Sequence, residues 1–171
     1  NYNLETEAIA SAVRESGGRA PTREIARAIA QGPLDFEPGA HWQYSLCHDV
    51  LAALVEAVSQ MRFADYVREN IFAPLGMENS TYHPTPAQAA RIAPQYQYDG
   101  EARRALPIPK AARHVLGPEY DSGGAGVVSS VSDMLAFAQA LANGGTGANG
   151  ARILSPRTVD LMRTNQLSEA Q

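Results

Sequence analysis

In the run FEPGAHWQYSLCHDV, Phe36 to Val50, a tyrosine and a serine stand side by side where a turn feeds into a long apolar-periodic segment. A phenol can pass a proton and a serine hydroxyl can be acylated, so Tyr44 and Ser45 are the first residues to weigh for chemistry. Taken alone, each has an ordinary structural role. Ser45 is a competent N-cap, and Tyr44 suits an amphipathic core residue with its hydroxyl at the rim. No base lies at a suitable spacing from Ser45, which reads as the cap and not as a nucleophile. Cys47 and His48 are adjacent, so on a helix they point about a third of a turn apart and the imidazole does not reach the sulfur. Cys47 therefore reads as a buried structural cysteine, and His41 and His48 as satisfied polar residues. Asp49 and Glu56, seven apart, read as a solvated stripe.

Other chemistries lack their residues. There is no H-E-x-x-H and no C-x-x-C, and the histidines at 41, 48, 83 and 114 do not pair on one helical face, so no metal site is expected. A G-x-S-x-G elbow is missing because position 120, two before Ser122, is tyrosine. The glycines of SGGAGVVSS precede a helix without the lysine that a phosphate loop needs, so they read as a tight turn where backbones approach closely. With a net charge of -4 and 19% charged residues the chain has no basic excess, and no nucleic-acid partner is expected. No run is long enough for a membrane span, one cysteine precludes an internal disulfide, and no cofactor is implied. Residues 1–171 fit a single domain.

The elements that must position these residues are mainly helical. Leu4 to Glu15 has a helical period ending at Gly17-Gly18, and PTREIARAIAQG offers a second helix with Thr22 as cap. Pro38-Gly39 suits a turn that fixes one φ and then needs a permissive residue. Val50, Leu51, Leu54, Val55 and Val58 recur at three and four residues in a helix that ends near Gln60. Phe63, Tyr66, Val67 and Phe72 share a face of the next helix, which stops at Ala73 before Pro74. Glu78 to Tyr120 reads as loops, with a short helix at Pro86 to Arg91 and a short strand at Gln95 to Tyr98. A helix over Ser132 to Ala142 carries Asp133 in its first turn, and a last one begins at Ser155-Pro156.

Taken together, FEPGAHWQYS, DVLAALVEAVSQMRFADYVRENIFAPLGMENSTYH, GGAGVVSSVSDMLAFAQALANGG and ILSPRTVDLM resemble the serine beta-lactamase-related family of class C beta-lactamases, D-Ala-D-Ala carboxypeptidases and related esterases. The resemblance runs in order from about Phe36 to Met162, and its W-x-Y-S-L version is closer to the esterase-like branch. It implies an acylated serine in S-x-x-K, a tyrosine relaying the proton from a Y-x-N motif, and a K-T-G or H-x-G strand holding substrate. Tyr44 then takes the tyrosine's place as catalytic residue, and Trp42, as a cleft wall, and Leu46, standing where the motif has asparagine, become the substrate-binding residues. A free phenol has a pKa of about 10, so a relay tyrosine needs a nearby cation. Leucine offers no amide to a substrate, which favours esters over lactams or peptides.

The sequence also departs from that pattern. Its one lysine, Lys110, is preceded at three residues by Pro107 and followed by Ala111, so neither S-x-x-K nor K-T-G occurs. Arginine cannot substitute as a base, because it does not give up its proton. The 171 residues are therefore expected to be the middle of such a hydrolase, chiefly its helical domain, with the central antiparallel sheet largely missing and no turnover alone. The substrate of the intact parent would be a small-molecule ester or amide. A free-standing helical binding module or a pseudoenzyme is the other reading. An apolar face left without its sheet would favour self-association.

Overall fold

The computed structural model describes residues 6–108 and 116–167; Leu4, Lys110 and His114 lie outside them. The Thr6 hydroxyl accepts from Ile9 N at 3.4 Å and starts α1 (Glu7–Glu15). Ile9 is buried there, and Gly17 and Gly18 follow with positive φ. Then comes α2 (Thr22–Ile29), whose cap is Pro21 and not Thr22. Thr22 is the first helical residue, and its hydroxyl is drawn elsewhere: it accepts from Asp121 N at 2.8 Å. Between them α1 and α2 enclose a core of Ile9, Ala20, Ile25 and Ala28, completed by Leu46 and Tyr120.

The helix α3 (Cys47–Ser59) packs on α2, and Gln60 closes it in the left-handed region at φ 59°. The chain continues through α4 (Phe63–Val67), a π turn at Arg68–Phe72 and α5 (Ala73–Leu75). This corrects the expected stop at Ala73. Within the widened turn Ala73 N donates to Arg68 O, five residues back. Such a turn opens the ladder around the residue four before Pro74, where a proline ring would otherwise clash. Gly76, at φ 68°, then ends the helix. Val67, Phe72, Leu75 and Met77 form a second core with Ala140 of α7 (Val131–Ala142).

A capping box between Thr85 and Gln88 starts α6 (Pro86–Arg91), as the sequence predicts. The strand expected at Gln95 to Tyr98 is β1 (Tyr96–Asp99), and it has an antiparallel partner read as loop, β2 (Arg104–Pro107). Asp99 Oδ1 accepts from Glu101 N and Ala102 N, both at 3.0 Å, and turns the hairpin. Finally α8 (Pro156–Arg163) is capped by Ser155, whose hydroxyl accepts from Thr158 N at 3.1 Å. The described residues are mainly α, with one small sheet. Among them no helix is long and apolar enough to cross a membrane, and no group of three or more His, Cys, Asp or Glu could hold a metal ion.

Candidate functional site

The approach to α3 is a loop closed on itself. Ala40 N donates to Glu37 O at 3.0 Å across Pro38 and Gly39, with Gly39 at φ 87°, as the Pro-Gly pair predicts. Across the base of the loop Gln43 Nε2 donates to Asp35 Oδ2 at 2.8 Å. The Phe36 and His41 rings meet edge to face with centroids 5.3 Å apart. Beyond Tyr44, the Ser45 hydroxyl accepts from Cys47 N at 3.3 Å and lies 2.8 Å from Cys47 Sγ.

Trp42 and Tyr44 project from this stretch, 65% and 67% exposed, whereas Leu46 is 5% exposed among the α1 and α2 side chains. The three residues singled out in the sequence are thus two side chains on the rim and one beneath it. Burying Leu46 also moves the helix start. Leu46 takes the cap position at φ -81° and ψ 20°, and Ser45 stands one residue before it. Ser45 is accordingly not the N-cap, although its hydroxyl still serves the first free amide. Cys47 is exposed, contrary to the buried position expected of it, and no hydrogen bond joins it to His48.

Asp49 and Glu56 are the largest departure from the sequence reading. The expected solvated stripe is buried, with Asp49 only 2% exposed. Its Oδ1 accepts from Tyr120 Oη at 2.5 Å and from Ser122 Oγ at 2.8 Å. Glu56 Oε1 accepts from Phe63 N at 3.0 Å, and its Oε2 lies 3.7 Å from Arg23 Nε. Ala52 sits between the two carboxylates on the same face, small enough to let α3 close on its neighbours. Donors meet Asp49 Oδ1 and Glu56 inside the fold, while Asp49 Oδ2 is buried without a hydrogen-bond partner among the described residues.

The glycine-rich loop lies against the first turn of α3. A Cβ at Gly123 would fall 2.0 Å from His48 O, which only a residue without a side chain permits. The expected close approach of backbones is what Gly123 provides. Beside that loop Tyr82 is poorly placed for proton transfer: burial, with the Asp121 and Asp49 charges adding, pushes its phenol far above the usual tyrosine value. Sequence reasoning passed over Asp121 as well. It has no exposed surface and accepts from Arg62 Nε at 2.9 Å, a second Arg62 nitrogen at 2.8 Å and Ala64 N at 2.9 Å, with His83 Nε2 at 2.5 Å. The available signal was the string Tyr120-Asp121-Ser122, a carboxylate between two hydroxyls just before the glycines.

Two exposed aromatics thus stand just before a helix whose first turn packs against the glycine-rich loop, a rim on which a small molecule could rest, with a phenol that could move a proton. The profile of the beta-lactamase family matches residues 2–171, and the chain belongs to that family. An uncharacterised Mycobacterium tuberculosis protein is 31% identical over 144 residues, which are 84% of this chain and 35% of that protein. Esterase EstB of Burkholderia gladioli is 35% identical over 134 residues, 69% of this chain and 33% of EstB. Among solved structures, unliganded simvastatin synthase (LovD) from Aspergillus terreus superposes with a TM-score of 0.72 at 27% identity. That match covers 92% of this chain and 39% of LovD. The chain spans about a third of the length of the curated relatives it matches.

Proposed function

We propose that this chain is the helical, cleft-forming part of a serine hydrolase that works through an acyl-enzyme, with the central sheet supplied by further sequence. Tyr44 is its proton relay and Trp42 a wall of the cleft; Leu46 acts from below, seating the run that carries them. The observation that supports this is the presentation of Tyr44 and Trp42, both about two-thirds exposed, between neighbours with tied side chains. In the reaction a serine hydroxyl attacks the substrate carbonyl and its proton passes through the Tyr44 phenol to the departing group. Water then cleaves the acyl-serine bond. The serine and its lysine come from outside these residues, since the chain has no S-x-x-K. An ester fits better than a lactam or peptide, because Leu46 has no amide to offer and is turned away from the rim.

Labelling with a fluorophosphonate probe tests this directly. The 171-residue chain is expected to remain unlabelled. The same chain continuous with an S-x-x-K segment and a K-T-G or H-x-G strand should label at the new serine and hydrolyse p-nitrophenyl esters. In that longer protein Tyr44→Phe should lower kcat by roughly a hundredfold or more. Labelling of the 171-residue chain, or full activity of the Tyr44→Phe protein, would sink the proposal. Failure of the longer protein to label would favour a non-catalytic helical module.

A further inference from the structure

Residues 41–45 belong to no helix or strand, so the two exposed aromatics do not sit on a regular backbone ladder. If the phenol is to meet a substrate in one geometry, side-chain contacts along this run must help to hold it. We infer that Asp35 and Gln43 are positioning residues for Trp42 and Tyr44, an inference that rests on the relay reading of Tyr44.

Gln43 lies between the two aromatics and reaches back eight residues to the Asp35 carboxylate. Its amide donates to a charged acceptor at 2.8 Å, the stronger kind of hydrogen bond. Inside the loop that this bond closes, the Pro38-Gly39 turn and the Phe36–His41 ring contact remove slack. On the other side Ser45 is held to Cys47, so the peptide units on both sides of Tyr44 are anchored through side chains. Asp35 and Gln43 are both exposed, where water competes for the same groups, so their bond adds little to the stability of the fold. The bond is therefore a poor explanation for the fold and a good one for the pose of a catalytic rim. Such a rim loses rate steeply when a group moves by even about 1 Å.

Trp42 is the sole tryptophan of the sequence and reports on the loop directly. In the 171-residue chain, Gln43→Ala and Asp35→Ala are expected to lower Trp42 fluorescence anisotropy and raise its quenching by acrylamide, with far-UV circular dichroism unchanged. Asp35→Asn, which keeps an accepting oxygen, should stay close to the unsubstituted chain. Anisotropy and quenching unchanged in both alanine variants, or Asp35→Asn as loose as Asp35→Ala, overturns the inference. In the longer, ester-cleaving protein Gln43→Ala should reduce kcat roughly tenfold or more while KM stays within about twofold, and Asp35→Asn should retain most of the rate. An inactive unsubstituted protein sinks the relay reading and leaves the fluorescence result to judge the clamp. An active one that tolerates Gln43→Ala without loss overturns positioning.

Discussion

Asp133, in the first turn of α7, shows how a buried carboxylate is kept charged. Burial by itself raises its pKa, but hydrogen bonds from Ser80 and Ser130 and from the backbone and side chain of Asn79 outweigh it. The carboxyl is held below the usual aspartate value. Ser80 Oγ and Asn79 N each donate to Oδ2 at 2.8 Å. The helix N-terminus favours the same charge. A carboxyl whose folded pKa is lowered stabilises the fold at pH above its unfolded value of about 3.9, and that stability is lost as pH falls through the folded value. Asp133→Asn should thus cost roughly 1–3 kcal/mol at pH 7. In urea unfolding the gap between the two proteins should narrow at about pH 3; a gap of equal size at both pH values would show that charge is not what Asp133 contributes.

At the scale of the element, α3 is the instructive case. Its apolar row was legible in the sequence, but the side it faces was not: Val50, Leu51, Leu54 and Val58 lie outward, with Val58 77% exposed. Asp49 and Glu56 are its only charged residues, and both are buried, so the outward face is uncharged. We propose that it associates with a second copy of this chain when nothing else covers it. Sedimentation velocity should show mass rising with concentration, and Leu54→Lys with Val58→Lys should restore a monomer. A compact monomer that binds no apolar dye would contradict this. Periodicity recovers a helix because it depends on spacing, but which face goes inside depends on partners distant in sequence, here Tyr120, Ser122 and Arg23. For the same reason the helix is expected to stop before Pro74, since the sequence does not display a π turn, and β2 reads as loop because its four residues, Arg104 to Pro107, carry no clear alternation. Resemblance singles out Trp42 and Tyr44, and the structure leaves both exposed. Asp35 and Gln43 needed coordinates, because neither their residue types nor their spacing is distinctive.

At the scale of the whole molecule there are two apolar clusters, one built on α1 and α2 and the other on α4, α5 and α7. Clusters so divided could open separately, as independent cooperative units. Asp121 stands between them. Its amide reaches Thr22 across 99 residues, and its carboxylate reaches Arg62 across 59, Ala64 across 57 and His83 across 38. Removing the carboxylate takes the shared buried acceptor from Arg62, His83 and Ala64 N and should cost about 1–3 kcal/mol, since Arg62 is partly exposed and still donates to Pro118 O. Calorimetry is expected to show one transition for the unsubstituted chain and two for Asp121→Ala, and a single transition in the variant would refute the coupling. On that outcome, one side chain with no surface of its own would be what makes the unfolding of this protein a single all-or-none event.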